Sequence, residues 1–396
     1  MKVKDLYLDI LDFKKCERTL NWEFAYWGGT LKRWYKEGLP RIYDLEHEVE
    51  FGETVCGPGL HYPILGMGSG YSLLVDKDVA DFFKFDNNII SFPINPWIYP
   101  KYDLIVLEED NNKKKIRDED GIIKIIKKDN SSMPHWIGWP IKDKKSWDEF
   151  KEDRFQINYE KRLAKNFKEY EKKIKEGDNP LILFGEPVGF YGSIRYLIGE
   201  INLLYMYYDN PVLIKTILNF LTNFWINLAE EILSKYEIKT VDFWEDMSGK
   251  NGPLIGPKMF REFMLPCYKR LINFLKNKGV KHFNVDTDGN VNLLLPLFLE
   301  AGITGMMPFE RQANNNLIDI RRKYPRLNIF GGFDKNVLTR GKKEIDNELN
   351  IIKNMIKTGG YIPYCDHLVP PNVSWKNYKY FRYNLIEIIH STKILI

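Results

Sequence analysis

Short apolar runs alternate with longer amphipathic segments through the second half of the chain. Each run is short enough for one strand, and the segment after it carries apolar residues at helical spacing. Six such runs lie at 181–186, 240–246, 280–286, 303–310, 327–334 and 361–367. The repeated strand-then-helix order predicts a parallel sheet, because parallel neighbours need a crossover connection.

The first half of the chain supplies two further strands in this interpretation. One is a candidate at 22–27, which closes on a glycine pair, and the other is hidden before residue 150. Eight strands, each followed by a helix, favour closure into a (β/α)₈ TIM barrel with additional N-terminal helices. We therefore predict an α/β fold in which residues 1–396 form one domain.

Residues 89–128 have a different pattern: short runs in which apolar and polar residues alternate, separated by polar turns. This pattern predicts an antiparallel β meander inserted into the barrel. Together with an irregular stretch, the excursion covers about residues 41–135. Within it, residues 41–85 have no readable periodicity, and their glycines do not fit a phosphate-binding loop.

Every strand of the second half ends on an ionisable residue. These residues are Glu186, Glu245, Asp246, Asp286, Asp288, Glu310, Asp334, Asp366 and His367. The carboxyl ends of barrel strands meet at one mouth, where barrel enzymes place their active sites. A single acid there can equally cap the next helix, as Asp286, Asp288 and Asp334 are placed to do. The acids of the complete set would raise one another's pKa values. Such a set indicates a functional site at the mouth of the barrel.

Composition narrows the class of protein. Hydrophobic residues make up 44% of the chain and aromatic residues 14%, enough for a large core and an aromatic pocket. The net charge is +4 with scattered basic residues, so we expect no nucleic-acid partner. The chain shows no targeting segment, no run long enough to span a bilayer and no CxxC pair. We expect a cytoplasmic protein without a membrane partner, and a homodimer is left open.

Five segments resemble the uroporphyrinogen decarboxylase superfamily. They are Thr-Leu-Lys-Arg-Trp-Tyr-Lys-Glu-Gly-Leu-Pro at 30–40, Trp-Glu-Asp-Met-Ser at 244–248, Val-Asp-Thr-Asp-Gly-Asn at 285–290, Gly-Gly-Phe-Asp-Lys at 331–335 and Gly-Gly-Tyr-Ile-Pro-Tyr-Cys-Asp-His-Leu-Val-Pro-Pro at 359–371. The similarity covers nearly the whole chain. It implies a (β/α)₈ barrel, in agreement with the strand count, and one of two chemistries.

The decarboxylase branch of that superfamily needs no cofactor. It grips substrate carboxylates with an Arg-Gln-Ala-Gly-Arg segment on the first strand, where this chain has Ala-Tyr-Trp-Gly-Gly at 25–29. The Phe-Ser-Asp catalytic segment of that branch has no counterpart here. An acid-rich mouth is also electrostatically unsuited to a tetrapyrrole with eight carboxylates.

The other branch contains methyltransferases that work with corrinoid proteins. Its members hold zinc on a His-x-Cys pair before Gly-Asn and on a later cysteine before Pro-Pro. Matching those segments puts Asp286 and Asp288 on the first pair and His367 on the later cysteine. The same match puts His367 on a histidine that the decarboxylases use. Some members of this branch transfer the methyl group to the thiol of coenzyme M, which needs a soft zinc site with cysteine ligands. Two carboxylates and an imidazole are harder ligands, so coenzyme M is not expected as the acceptor here. They could hold zinc or another divalent metal, or act without metal in proton transfer.

The resemblance and the acidic mouth predict a methyltransferase that moves a methyl group from a small O- or N-methylated donor to a separate corrinoid protein. Asp286, Asp288 and His367 would activate the leaving atom, as metal ligands or as proton donors and acceptors. Glu245 is predicted as a fourth ligand or a proton relay. The residues predicted to bind the donor are Trp22, Tyr26, Trp27, Glu186 and Glu310. The chain has no Asp-x-His-x-x-Gly signature, so the corrinoid would arrive on a partner.

Two alternatives stay open at this point. The first is a cofactor-free decarboxylase of the uroporphyrinogen type, which an arginine cluster in the mouth would favour. The second is a non-catalytic barrel that binds a small ligand. It would be favoured if basic residues such as Lys335 or Arg311 neutralised all the acids of the mouth.

Overall fold

A curved sheet of seven parallel strands forms the centre of the protein. The computed structural model describes residues 1–43, 51–56, 77–128 and 134–394. From one edge to the other, the strands are Ile90–Ser91, Leu181–Ile182, Thr240–Trp244, His282–Asp286, Gly305–Met307, Asn328–Phe330 and Tyr361–Ile362. Spatial neighbours in this sheet follow one another along the chain, with helices between them, as in a TIM-barrel-like fold.

The first strand, Ala25–Trp27, pairs with Thr54–Cys56 in a separate sheet, and its segment is hydrogen-bonded to residues near both edges of the seven-stranded sheet. On one side, the N–H of Val369 donates to the carbonyl of Ala25 at 2.9 Å. On the other side, the N–H of Asp86 donates to the carbonyl of Asn21 at 3.1 Å. The predicted TIM-barrel-like α/β fold is therefore confirmed, with seven parallel strands that neighbour one another in chain order.

The hidden second strand is Ile90–Ser91, and our assignment of this segment to the meander is wrong. It pairs in parallel with Leu181–Ile182, and both of its residues are buried. Only two residues pair, so the run is too short for its alternation to distinguish a barrel strand from a meander strand.

An antiparallel sheet of four strands forms the predicted meander. Its strands are Ile105–Glu109, Lys113–Arg117, Ile123–Lys127 and His135–Gly138. The last of them was not predicted. Two short antiparallel pairs complete the strands of the described chain: Ala25–Trp27 with Thr54–Cys56, and Ser248–Gly249 with Gly252–Pro253. Much of the irregular stretch predicted at 41–85 lies outside the described residues.

Helices separate the sheet strands and cover the outside of the sheet. The α-helices are Val3–Leu11, Gly28–Lys36, Asp78–Phe82, Lys144–Arg154, Tyr159–Arg162, Phe167–Glu176, Phe190–Ile198, Glu200–Asp209, Pro211–Leu233, Pro257–Met259, Leu265–Asn277, Leu295–Ala301, Leu317–Lys323, Lys342–Lys357 and Trp375–Ser391. A π-helix spans Phe260–Met264, and 3₁₀ turns span Arg311–Ala313 and Lys335–Thr339. Among the described helices, Pro211–Leu233 alone is long and apolar enough to cross a membrane, and 56% of its most apolar window is buried inside the protein.

A buried glutamate joins the first strand segment to the end of the chain. Glu23 accepts a hydrogen bond from the N–H of Cys365 at 2.9 Å and another from the hydroxyl of Tyr378 at 2.9 Å. The guanidinium of Arg382, also fully buried, lies 3.4 Å from the same carboxylate. Because a buried charge must be paired and hydrogen-bonded, these contacts fix the segment that carries His367 against the first strand.

Candidate functional site

A cavity of about 460 Å³ opens at the carboxyl ends of the sheet strands. Side chains from the sheet, from the following helices and from the meander reach it together. The described residues that line it are Phe24, Trp27, Thr54, Trp136, Trp139, Gly185, Glu186, Arg195, Tyr196, Glu200, Asp242, Phe243, Trp244, Asp246, Asp286, Asp288, His367 and Leu368. Of the predicted site residues, Trp27, Glu186, Asp286, Asp288 and His367 line this cavity.

His367 and Asp288 form an ion pair at the cavity wall. Nε2 of His367 lies 3.2 Å from Oδ2 of Asp288. Burial acts to lower the pKa of His367, but the charge and hydrogen bond of Asp288 raise it above its ordinary value. Burial likewise acts to raise the pKa of Asp288, but the charge and hydrogen bond of His367 lower it. The pair therefore favours imidazolium and carboxylate together.

Asp286 faces the same cavity from the last position of the strand His282–Asp286. Within the described residues, its carboxyl group has no hydrogen bond or ion pair. Burial raises its pKa well above the ordinary value, and the negative charges of Asp288, Asp246 and Glu186 raise it further. Asp286 therefore favours its protonated form more than an ordinary aspartate does, as a proton donor requires.

Asp246 and Arg195 form a second ion pair in the lining, and the sequence analysis assigned a role to neither. The guanidinium of Arg195 donates to the carboxylate of Asp246 at 2.7 Å and to its carbonyl at 2.7 Å. Asp246 has a φ of 41°, in the left-handed region. This turn of the backbone directs Asp246 into the cavity after the strand Thr240–Trp244.

Glu186 lies at the next strand end and accepts a hydrogen bond from the hydroxyl of Tyr196 at 2.7 Å. Burial raises the pKa of Glu186 to about 7, and the charge of Asp246 adds to the effect. The ring of Tyr196 stacks on Trp244 at a centroid distance of 5.0 Å. Glu186 is therefore positioned to change its protonation state near neutral pH.

Glu245, predicted as a catalytic residue, is not part of the described cavity lining. Its fully buried carboxylate accepts hydrogen bonds from the backbone N–H groups of Phe190, Tyr191 and Gly192 at 2.7, 2.6 and 3.0 Å. The hydroxyl of Tyr268 donates to it as well. This arrangement caps the helix Phe190–Ile198, so its contacts give Glu245 a structural role, and a role as ligand or relay finds no support in them.

The remaining strand-end acids are held by neighbouring donors. Glu310 pairs with Lys335 at 3.2 Å and accepts from the N–H of Gly289 at 3.0 Å. Asp366 also pairs with Lys335, and burial raises its pKa to about 6. Asp334 caps the turn Lys335–Thr339 through the N–H of Asn336, as its capping interpretation predicted. None of these three acids is part of the described lining.

Of the three aromatic residues predicted to bind the donor, one lines the cavity and two lie in the core. Trp27 lines the cavity. Trp22 is fully buried and donates from its indole N–H to the carbonyl of Asn87 at 3.1 Å. Tyr26 is fully buried too, with its hydroxyl 3.1 Å from that of Tyr378. Trp22 and Tyr26 are therefore placed in the core, outside the described lining of the cavity.

Two unpredicted tryptophans reach the cavity from the meander and the segment after it. Trp136 lies on the strand His135–Gly138, and Trp139 follows that strand directly. No local pattern marks them, because their position depends on how the meander packs over the mouth. Their neighbour Ile137 is 39% exposed, as expected for a residue on the opposite face of the strand.

The predicted metal ligands Asp286, Asp288 and His367 all line the cavity. Within the described chain, no group of three or more His, Cys, Asp or Glu side chains is arranged to hold a metal ion. Nε2 of His367 is directed at the carboxylate of Asp288, and Asp286 is not hydrogen-bonded to either. Metal binding by Asp286, Asp288 and His367 stays a prediction, and no step below depends on it.

Comparison with known proteins places the second half of the chain in one family. A family model described as uroporphyrinogen decarboxylase (URO-D) matches residues 175–386, which is more than half of the chain. The match covers the strands that carry Glu186, Asp246, Asp286, Asp288 and His367. A search of curated proteins finds no match.

Proposed function

The chain belongs to the uroporphyrinogen decarboxylase superfamily, a superfamily of enzymes, and on this premise we propose that it is a demethylating methyltransferase. It takes a methyl group from a small O- or N-methylated donor and passes it to a corrinoid carried by a separate protein. The cavity described above binds the donor. Asp286 donates a proton in the reaction, and the ion pair of His367 with Asp288 holds the cavity wall in place.

The observation that carries this proposal is the charge and size of the cavity. A substrate with many carboxylates needs cationic partners, but the described lining has one arginine, and Arg195 is already paired with Asp246. A volume of about 460 Å³ suits a small molecule better than a tetrapyrrole. Of the two chemistries that the superfamily resemblance implies, methyl transfer fits this cavity better than decarboxylation of a polycarboxylate.

A purely binding role is disfavoured by the distribution of the basic residues. The described residues Lys335 and Arg311 pair with acids outside the cavity lining, namely Glu310 and Asp366 for Lys335, and Glu348 for Arg311. Asp286 keeps a strongly raised pKa inside the cavity. A raised pKa that no cation compensates is a feature of functional sites.

Proton transfer is the step that the residues of this chain supply. When the bond from the methyl carbon to oxygen or nitrogen breaks, its electron pair stays on that atom. An oxygen, or the nitrogen of a neutral amine, takes up a proton at this step, whereas an ammonium nitrogen leaves as a neutral amine and takes up a proton only afterwards. The carboxyl group of Asp286 donates this proton and becomes a carboxylate. His367 and Asp288 keep their charges and hold the wall of the cavity in place. The corrinoid, when its carrier is bound, supplies the cobalt that accepts the methyl group.

A methyl-transfer assay with free cob(I)alamin tests the proposal. Purified protein is incubated with a panel of methoxylated aromatics and methylamines, and methylcobalamin formation is followed by absorbance. We expect methylcobalamin that depends on both protein and donor. A parallel reaction measures carbon dioxide release from uroporphyrinogen, and release without methyl transfer to cobalamin would replace the proposal by decarboxylation.

A further inference from the structure

Acidic groups outnumber basic groups in the described lining of the cavity. The acids are Glu186, Glu200, Asp242, Asp246, Asp286 and Asp288. The bases are Arg195 and His367, and each already faces an acid. Even without Asp286, the proposed proton donor, five acids face two bases, so the local field attracts a cation into the cavity and repels an anion.

Five partly buried aromatic residues also line the cavity, namely Trp27, Trp136, Trp139, Tyr196 and Trp244. The face of an indole ring attracts a cation through its quadrupole. One contact of this kind exists within the protein, because the guanidinium carbon of Arg195 lies 5.0 Å from the centroid of the Trp244 ring. The wall thus already stabilises one positive group beside the cavity.

A cavity lined by both aromatic rings and carboxyl groups is better suited to an organic cation than to a small metal ion. A small metal ion needs oxygen ligands in direct contact at short distance. An N-methylated ammonium instead spreads its charge over methyl groups, which pack on ring faces without directional ligands. The volume of about 460 Å³ accommodates an organic cation of that size.

We propose that the cavity binds a small tertiary or quaternary N-methylated ammonium, held by the ring of Trp136 and by the carboxyl group of Glu186. This inference rests on the proposed function, since it names the donor class of the same site. It excludes methoxylated aromatics as the preferred donors, because they are neutral.

Isothermal titration calorimetry of the full chain with two matched probes tests the inference. The first probe is choline, and the second is the neutral analogue in which carbon replaces the nitrogen. Their shapes are the same, so the difference in affinity reports the charge alone. We expect choline to bind at least about ten-fold more tightly than the analogue. Equal or weaker binding of choline, or no binding of choline, would overturn the inference.

A pair of neighbouring substitutions assigns the binding to the aromatic wall. Trp136→Leu should weaken choline binding by roughly five-fold, because it removes one ring from the cavity. Ile137→Ala, on the opposite face of the same strand, should leave binding unchanged. Circular dichroism confirms that both variants fold. Equal affinities of folded Trp136→Leu and Ile137→Ala would contradict the assignment.

The outcomes separate this inference from the proposed function. Binding of choline without any methyl transfer to cobalamin would contradict the proposed function while leaving cation recognition in place. Methyl transfer from a methoxylated aromatic, with no binding of choline, would contradict cation recognition and leave the proposed function in place.

Discussion

Nε2 of His367 lies 3.2 Å from Oδ2 of Asp288, although the two residues follow different strands of the parallel sheet. The strand ends bring them to one wall of the cavity, as the predicted barrel requires. The contact raises the pKa of the imidazole against the opposing effect of burial. His367 therefore depends on Asp288 for its charge.

Asp288→Asn should lower the pKa of His367. Without the carboxylate, burial and the charge of Lys335 lower the pKa of the imidazole, and the charge of Glu310 opposes them only in part. NMR titration of the histidine ring signals measures the change. His282 is an internal control, because its partner is Asp12 at 3.2 Å and its pKa should not move. An unchanged pKa of His367 in this variant would show that the pair has no electrostatic effect.

Ionisation of Glu186 should lower the free energy of unfolding as the pH rises towards neutrality. Its pKa rises from the ordinary 4.5 to about 7 in the folded protein, so the folded state binds the proton more tightly than the unfolded chain. The contribution of Glu186 to stability is therefore retained at low pH and is lost as the pH rises through about 7. The loss amounts to up to about 3 kcal/mol. Asp246, Arg195, Tyr196 and Asp120 are the groups that modulate it.

Urea unfolding of wild type and Glu186→Gln at about pH 5 and about pH 8 checks this dependence. The variant cannot ionise at this position, so its free energy of unfolding should fall less between the two pH values than that of wild type. The same fall in both proteins would mean that Glu186 titrates normally.

Glu245→Gln should destabilise the fold. Glu245 is fully buried and accepts from three backbone N–H groups and from Tyr268. A neutral amide offers these donors a weaker acceptor and adds an N–H₂ group without a suitable partner. We expect a loss of about 2 to 3 kcal/mol in urea unfolding. Glu237→Gln, at an exposed carboxylate, should change stability by less than about 0.5 kcal/mol. If the two variants were equally stable, the capping role would be refuted.

Lys124→Met should destabilise the meander. Nζ of Lys124 lies 3.0 Å from the carboxylate of Asp118, and the two side chains are 2% and 3% exposed. Removal of one partner leaves a buried charge uncompensated, at a cost of about 3 kcal/mol. Adding Asp118→Asn should recover part of the loss, whereas Lys113→Met on the exposed surface should cost less than about 0.5 kcal/mol. Limited proteolysis locates the effect in the meander, and protection equal to wild type would argue against it.

The periodicity of the second half was sufficient to predict the fold. Long helices after short apolar runs leave few arrangements other than a parallel sheet, and all six predicted strands are present. The strand Ile90–Ser91 could not be recognised, because two paired residues carry no period. The burial of Lys124 could not be predicted either, because a lysine in an alternating strand is expected to face solvent.

Some residues that line the cavity could be predicted from the sequence, and the others could not for local physical reasons. Asp286, Asp288 and His367 were recognisable because they end strands. Glu245 was selected instead of Asp246, since the backbone turn at Asp246, with its positive φ, decides which of the two faces the cavity. Arg195, Trp136 and Trp139 reach the cavity from a helix and from the meander region, so tertiary packing alone brings them there.

The most direct test of the account is a single-turnover measurement of methyl transfer to cob(I)alamin by wild type, Asp286→Asn and Asp334→Asn. Asp286 is the proposed proton donor, so with a methoxylated donor, whose leaving oxygen must be protonated, its variant should transfer the methyl group on the order of one hundred-fold more slowly. Asp334 caps a turn outside the described lining of the cavity, so its folded variant should react within about two-fold of wild type. Equal rates for Asp286→Asn and wild type, or no transfer by wild type from any methylated donor, would contradict the account.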